Sequence, residues 1–314
     1  MSLSITYNSV AFQNPLVLAS GILGVTGNSL KNVAENGAGG VTTKSIWLEE
    51  HKGHPNPTMI GDKHFFLNAV GVPHGGIEKA YEEVATYMAW KNEMDGRAPL
   101  IGNIIANTAE NFGKTAEALM KCEVLPDLLE VNISCPNVED EFGKPFACDL
   151  DQASRVTEIV KKATQGKIPI IVKLSPNVDD IVSIAKGVED AGADGLCCFN
   201  TFGPGMAIDI ETAQPILANK VGGVSGPGLK PLVVKKVYDV YKAVKIPIIG
   251  TGSVISGRDA IELMMAGATL IGMGTAVYYR GADVFAKVAK EMEDWCVEND
   301  VKDLSEIVGL AHRM

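Results

Sequence analysis

Short apolar runs alternate regularly with longer amphipathic segments along this sequence, and this alternation limits the fold most strongly. The runs are rich in branched residues and stay apolar on both faces, which is typical of buried parallel strands. The predicted strands are Pro15–Gly21, Val41–Ser45, Pro99–Ile104, Asp127–Ile133, Pro169–Leu174, Gly195–Phe199, Ile246–Gly250 and Thr269–Gly272. The predicted helices are Leu30–Asn36, Ile77–Asn92, Thr108–Lys121, Gln152–Ala163, Val178–Ala191, Pro231–Val244, Gly257–Ala266 and Asp283–Trp295.

Eight strand and helix pairs close naturally into a (β/α)8 TIM barrel, which normally needs about 250 residues. The chain has 314 residues and no low-complexity linker, so we expect an α/β fold with one domain over residues 1–314. An open doubly wound sheet is the alternative fold. Its GxGxxG fingerprint should follow the first strand, but residues 19–24 read ASGILG.

Two kinds of segment fall outside the strand and helix pairs. Ser4–Tyr7 and Val10–Gln13 flank Asn8-Ser9 and predict a small N-terminal β-hairpin. Residues 46–76 and 200–229 predict long insertions after the second and sixth strands, at the C-terminal face of the barrel. Long ordered loops in a compact domain are usually functional.

The composition argues against nucleic acid and membranes as binding partners. A formal net charge of −10 speaks against nucleic acid, which is bound by clustered Lys and Arg. No segment approaches 18 uncharged apolar residues and no basic amphipathic stretch is present, so we expect no membrane association. The amino terminus lacks the pattern of a secretory signal.

The cysteines and histidines indicate neither a metal site nor a disulfide framework. Six cysteines without CxxC spacing suit a reduced cytoplasm and speak against zinc or an iron–sulfur cluster. Cys197 and Cys198 are predicted to be core residues on opposite faces of one strand. Four histidines fall in the first insertion without the spacing of a metal motif: His51, His54, His64 and His74.

One thiol stands apart, because Cys135 follows the end of the fourth predicted strand. Pro136 cannot continue a strand ladder, so Cys135 lies at the C-terminal end, where α/β folds place their chemistry. A thiol with a reference pKa of about 8.5 can accept a proton near neutral pH. A structural buried cysteine is the alternative, but the polar neighbours Asn132, Ser134 and Asn137 argue against apolar packing.

Two lysines lie near the ends of predicted strands, at the same rim. Lys44, near the end of the second strand, is either a site cation or a solvated surface charge. Lys173 follows a run of apolar residues in the fifth strand. It either stabilises negative charge on a bound ligand or forms a structural ion pair with an acid in the barrel.

Three glycine-rich segments lie at or just before the last two strand ends. They read Gly222–Gly226, Gly250–Ser253 and Gly272–Thr275. Barrels of this kind commonly bind phosphate with the loops after strands seven and eight, through backbone amides that no Cβ blocks. The sequence therefore predicts a phosphate-bearing ligand.

Together these motifs resemble the class 1 dihydroorotate dehydrogenases, particularly the 1B catalytic subunit. The resemblance extends over nearly the whole chain and rests on Asn132–Asn137 (NISCPN), Lys173–Asn177 (KLSPN), Asn200-Thr201, Pro215–Asn219 (PILAN) and Gly222–Pro227 (GGVSGP). It implies an FMN-containing barrel that oxidises (S)-dihydroorotate to orotate in pyrimidine biosynthesis. Cys135 would be the general base that removes the C5 proton, while the C6 hydride passes to flavin N5.

The resemblance also implies the binding residues. Those for the substrate are Lys44, Asn68, Ala69, Val70, Gly71, Val72, Asn132, Asn137, Asn200 and Thr201. Those for FMN are Ala19, Ser20, Gly21, Lys44, Ser45, Asn103, Asn132, Lys173, Phe199, Gly226, Gly252, Ser253, Gly274 and Thr275. Residues 138–149, which depart from the usual family sequence, would form a lid over the cysteine, and Cys148 within it is a competing base.

Two alternative functions stay open. A related dihydropyrimidine dehydrogenase domain would act on dihydrouracil or dihydrothymine. A non-redox phosphate-binding barrel, from a different functional class, would need no flavin. The family implies a homodimer, and the cysteine usage favours a cytoplasmic location. NAD as electron acceptor would require a separate FAD and iron–sulfur subunit, whereas fumarate or another soluble acceptor would not.

Overall fold

Eight parallel strands form a closed barrel in this computed structural model, which describes residues 2–94, 97–134 and 146–313. In chain order the strands are β1 Ile5–Tyr7, β2 Val10–Phe12, β3 Leu16–Leu18, β4 Gly40–Thr42, β5 Glu50–His51, β6 Met59–Gly61, β7 Phe66–Asn68, β8 His74–Gly75, β9 Leu100–Ile104, β10 Leu128–Asn132, β11 Ile170–Lys173, β12 Gly195–Cys198, β13 Phe202–Gly205, β14 Ile208–Asp209, β15 Gln214–Pro215, β16 Gly222–Ser225, β17 Ile248–Thr251 and β18 Leu270–Met273. Around the barrel the order is β3, β4, β9, β10, β11, β12, β17 and β18, which pairs again with β3.

Helices connect the barrel strands and cover the outer face of the sheet. They are α1 Gly27–Glu35, α2 Ile77–Glu93, α3 Ala109–Leu119, α4 Leu150–Thr164, α5 Ile181–Asp190, α6 Lys230–Ala243, α7 Gly257–Ala266, α8 Ala276–Arg280 and α9 Val284–Glu298. Side chains cap several of their amino ends. Asp149, for example, accepts a hydrogen bond from the Gln152 backbone N–H at 2.9 Å and so fixes the start of α4.

The inward-facing residues change from apolar to polar along several of the barrel strands. Along β10, Leu129 and Val131 pack outward with the helices, whereas Leu128 joins an apolar cluster inside the barrel. Because side chains alternate in a strand, Glu130 and Asn132 also face inward. The interior is therefore hydrocarbon near the N-terminal ends of the strands and polar near their C-terminal ends.

The N-terminal hairpin closes the apolar end of the barrel. Strands β1 and β2 pair antiparallel, as predicted, and Tyr7 and Phe12 pack into the interior cluster. The Tyr7 hydroxyl donates to the Pro247 carbonyl at 3.1 Å. Burial raises the pKa of Tyr7 well above its usual value, so the phenol stays protonated. The functional end of the barrel is thus the opposite one.

The two insertions contain more regular structure than their sequences indicated. Strands β6 and β7 of the first insertion join β13 and β16 of the second in a four-stranded antiparallel sheet. Leu67, Ala69 and Leu217 form a small apolar cluster beneath it. Each strand has at most four residues, and the pairing of β7 with β16, which joins the two insertions, links residues about 155 positions apart. Local patterns could therefore not predict this sheet.

The predicted barrel is confirmed, with strand and helix ends differing by a few residues from the predicted ones. Helix α8 was missed because five residues carry too little periodicity to be recognised. Cys197 lies in the interior cluster and Cys198 in the cluster between strands and helices, so the prediction of opposite faces is confirmed. Among the described residues, no helix combines the length and apolarity needed to cross a bilayer.

Candidate active site

A deep cavity opens at the C-terminal ends of the barrel strands. The ends of seven of the eight barrel strands, or the segments that follow them, contribute to its wall or floor, and the four-stranded sheet of the insertions forms one side. It brings together most of the predicted site residues: Ala19, Ser20, Gly21, Lys44, Ser45, Asn68, Val70, Gly71, Val72, Asn132, Lys173, Phe199, Asn200, Thr201, Gly252, Ser253, Gly274 and Thr275.

Three predicted site residues do not line the cavity. Ala69 is fully buried in the small apolar cluster of the insertions. Asn103 lies deeper in the barrel, and Gly226 contributes a carbonyl that accepts a hydrogen bond from Ser253 Oγ at 2.9 Å. Cys135 and Asn137, together with residues 138–145 of the predicted lid, lie outside the described residues.

Asn132 and Asn200 are fixed in orientation by a shared hydrogen-bond network. Asn132 Nδ2 donates to Ser45 Oγ at 3.3 Å, and its Oδ1 accepts from the Ser134 hydroxyl at 3.0 Å. Asn200 Nδ2 donates to Ser134 Oγ at 3.0 Å, and Asn200 Oδ1 accepts from the Thr201 backbone N–H at 2.8 Å. The network thus holds two carboxamides at the cavity wall in defined orientations.

Ser134 is a member of this network that the sequence analysis treated only as a polar neighbour. It is almost completely buried and bonds to both asparagines. Its position immediately before Cys135 was a usable signal, because a polar residue at a strand end needs partners when it is buried.

Asn177 is another residue whose role the sequence did not reveal. Its Nδ2 donates to the Thr201 carbonyl at 3.1 Å, and its Oδ1 accepts from the Gly203 backbone N–H at 3.0 Å. The Cys148 thiol lies 3.8 Å from the Asn177 carbonyl. Asn177 therefore connects the end of β11 to the second insertion and to the residues preceding α4.

Lys173 stands at the cavity floor and forms a buried ion pair. Its Nζ lies 3.2 Å from Glu130 Oε1, and both side chains are at most 5% exposed. The barrel acid considered as an alternative partner is therefore present, yet Lys173 also lines the cavity. Lys173 is therefore both part of a structural ion pair and in a position to face a bound ligand.

Lys44 is not the solvated surface charge of the alternative interpretation, because only 8% of the residue is exposed. Its backbone N–H donates to the Gly24 carbonyl at 2.7 Å. Burial, and secondly the charge of Lys44, lowers the pKa of His74 to about 4. His74 is therefore neutral at physiological pH, with Nδ1 accepting from the Gly76 N–H at 3.0 Å.

The glycines of the first and last loops leave open space in front of the backbone. A Cβ at Gly21 would meet nothing within 4 Å, and one at Gly274 would meet only Ala19 Cβ and Ile22 Cγ2, both at 3.9 Å. Gly252, with a φ of 124°, takes a conformation that favours glycine. Such a backbone can approach an anionic group closely, so these loops fit a phosphate-bearing ligand.

Comparisons with known proteins give one consistent picture. The family model described as dihydroorotate dehydrogenase matches residues 2–295. "Dihydroorotate dehydrogenase B (NAD(+)), catalytic subunit" of Methanocaldococcus jannaschii is 47% identical over 96% of this chain and 96% of its own length. The protein of the same name from Methanothermobacter thermautotrophicus is 40% identical over 97% of this chain and 96% of its own.

A solved structure agrees in fold. The dihydroorotate dehydrogenase of Eimeria tenella, in complex with ferulenol, superposes with a TM-score of 0.86. The match covers 99% of this chain and 89% of that one, at 22% identity. At that identity the likeness supports the barrel architecture alone.

Proposed function

The chain belongs to the dihydroorotate dehydrogenase family, and from this premise we propose that it is an FMN-dependent catalytic subunit that oxidises (S)-dihydroorotate to orotate in pyrimidine biosynthesis. The observation that carries the proposal is the cavity itself. Orienting carboxamides, two buried lysines and open glycine loops converge there at the C-terminal end of the barrel.

The residues around the cavity fit FMN. The open backbone at Gly21 and Gly274 would admit the phosphate end, with the Ser253 and Thr275 hydroxyls beside it. Lys173 at the floor would face the ring and favour negative charge on it. Bound FMN supplies the acceptor for the hydride that leaves the substrate. Residues 1–314 would then form one FMN-binding domain.

The carboxamides suit the substrate ring. Asn68, Asn132 and Asn200 each donate and accept hydrogen bonds, as an imide-like ring with adjacent N–H and C=O groups requires. Lys44 would neutralise the substrate carboxylate, and Thr201 would hold its other side. Ser134 and Ser45 already orient Asn132 and Asn200. Substrate binding would therefore lose little conformational entropy in ordering these side chains.

We assign proton removal to Cys135, which follows Ser134 directly. A C–H beside a carbonyl is a weak acid, so its base must be close and water must be excluded. The hydrogen bonds that hold Ser134 support this assignment, because they fix the chain one residue before the thiol. Cys148 is a weaker choice, since its thiol lies against the Asn177 carbonyl instead of lining the cavity.

The relatives' names extend the proposal to partners. Both quoted relatives are named catalytic subunits of an NAD(+)-linked enzyme, and the name implies a second subunit. We propose that this chain works as a cytoplasmic homodimer and passes electrons to a partner carrying FAD and an iron–sulfur cluster. The experiment is co-purification of the chain with such a subunit, followed by NAD reduction. Activity with fumarate alone, and none with NAD, would contradict this part.

Catalysis is tested by reconstituting the purified protein with FMN and adding substrates without oxygen. Loss of flavin colour with dihydroorotate, and none with dihydrouracil, is the expected result. Preference for dihydrouracil would favour the dihydropyrimidine alternative. A protein that cannot bind FMN would favour a non-redox barrel.

A further inference from the structure

Glu130 is a buried acid to which the proposed chemistry assigns no role. It occupies an inward position in the middle of β10 and is only 3% exposed. In the strand register it lies opposite Asn103 of β9 and Ile171 of β11, one inward layer below the pair Asn132 and Lys173. Glu130 therefore separates the hydrocarbon of the barrel interior from the floor of the cavity.

Two donors converge on one carboxylate oxygen. Asn103 Nδ2 donates to Glu130 Oε1 at 2.5 Å, and Lys173 Nζ donates to the same atom at 3.2 Å. A buried carboxylate needs such partners, because an uncompensated charge in a low-dielectric interior is costly. The arrangement anchors the lysine from below while its side chain still lines the cavity.

A neighbouring thiol adds no competing charge. Cys197 faces the same interior, and its Sγ lies 3.3 Å from Thr251 Oγ1. Burial first, and the charge of Glu130 second, raises the pKa of the Cys197 thiol far above its usual value. Glu130 thus places a negative charge 3.2 Å from the Lys173 Nζ, and the neutral Cys197 thiol adds none.

We propose that Glu130 is a positioning residue that holds Lys173 at the cavity floor and, through its charge, sets the balance between oxidised and reduced flavin. This inference rests on the proposed function, since it concerns the FMN that the cavity would bind. An isolated lysine would stabilise the negative charge of reduced flavin strongly. A lysine paired with a carboxylate does so less, because the pair is nearly neutral as seen from the ring.

The test uses the FMN-loaded protein equilibrated with a redox dye of known potential. In Glu130→Gln, Lys173 loses its balancing charge, so the ratio of reduced to oxidised flavin should rise about tenfold at equal potential. For a two-electron couple that is a shift of about 30 mV to more positive potential. The amide can still accept from Lys173, and Asn103 can turn its Oδ1, which has no partner among the described residues, toward the new N–H donors.

Asp127→Asn is the matched control. Asp127 immediately precedes the same strand and forms a largely buried ion pair with Lys91, 2.5 Å apart, away from the cavity. Removing its charge tests any general effect of a broken ion pair on β10. We expect the flavin ratio of this variant to equal that of the parent. An equal ratio in Glu130→Gln and Asp127→Asn would overturn the inference.

Glu130→Asp separates charge from position and also serves if the Gln variant does not fold. Aspartate keeps the charge but is one methylene shorter, so Lys173 should be held less firmly. FMN affinity should fall about tenfold, a typical loss for one charge-assisted hydrogen bond, while the flavin ratio stays near the parent value. An Asp variant with parental FMN affinity would contradict the positioning role. A parent that binds no FMN would instead contradict the proposed function, so the two failures are distinguishable.

Discussion

Asn200 donates a hydrogen bond to Ser134 across the rim of the barrel, with 3.0 Å between Nδ2 and Oγ. The bond joins the segment after β12 to the residue directly before Cys135. Ser134 in turn donates to Asn132 at the end of β10. The two carboxamides proposed to bind substrate and the residue that precedes the proposed base therefore belong to one hydrogen-bonded network.

Ser134→Ala should lower the rate of flavin reduction by dihydroorotate about tenfold. The change removes the two side-chain hydrogen bonds that fix Ser134. A small displacement of the neighbouring catalytic group lowers the reaction rate strongly. FMN affinity should not change. The measurement is stopped-flow flavin reduction, with FMN titration alongside.

Ser253→Ala is the matched control for that variant. Ser253 lines the cavity beside the glycine loops and donates to the Gly226 carbonyl. Its loss should weaken FMN binding several-fold, as expected for one hydrogen bond, and leave the saturated reduction rate close to the parent value. If both serine variants gave the same pattern, the division of the cavity into substrate and phosphate ends would be wrong.

Gly274→Val should abolish tight FMN binding without unfolding the protein. The new side chain would enter open space, since even a Cβ there meets its nearest atoms only at 3.9 Å. It would fill room proposed for the phosphate, so FMN affinity should drop at least about tenfold. Fluorescence titration measures the affinity and thermal unfolding of the apoprotein checks the fold. An unchanged affinity would place the phosphate elsewhere.

Lys173→Ala should both weaken the flavin site and destabilise the barrel. It leaves Glu130 buried without its cation, a change that costs about 3–5 kcal/mol of unfolding free energy. Lys161→Ala removes a pair with Asp194 whose side chains are about one-third exposed, and it should cost less than about 1 kcal/mol. Urea unfolding compares the two, and equal losses would mean that the buried pair has no special energetic role.

Stability should fall in acid partly because of His74. Its pKa is about 4 in the folded protein and about 6.5 when unfolded. Below pH 6.5 the unfolded chain binds the proton more readily, so unfolding becomes easier as the pH drops from 6.5 to 4. At pH 5 the parent should lose about 1 kcal/mol relative to pH 7 from this group, allowing for its partial exposure. His74→Gln should lack that component, and identical pH profiles in urea unfolding would contradict it.

The barrel was predictable because each strand is a short apolar run that the local sequence shows without knowledge of its partners. The four-stranded sheet of the insertions was not, since β7 pairs with β16 about 155 residues later. Within the site, Lys44, Asn132 and Lys173 were predictable because they lie at or just after strand ends on one rim. Glu130 was missed because the sequence does not say whether an acid within an apolar run faces into or out of the barrel. The structure places Leu128, Glu130 and Asn132 on the same inward face of β10.

Asn103 is a residue that the sequence assigned to the site but whose side chain does not line the cavity. The resemblance assigned it to FMN, yet its amide nitrogen bonds to Glu130 and its side chain does not line the cavity. Its direct contact with FMN stays a prediction. The family and the barrel predicted from the sequence are confirmed.

The most direct measurement is anaerobic flavin reduction in the parent and in Cys135→Ser at neutral pH. The parent, loaded with FMN, should lose its flavin absorbance on adding dihydroorotate and form one orotate per flavin. Cys135→Ser should keep its FMN but react about 10²–10⁴-fold more slowly, because a serine is a much weaker base. Cys148→Ser should react like the parent. A Cys135→Ser protein that bleaches as fast as the parent, or a parent that does not bleach at all, would contradict the account.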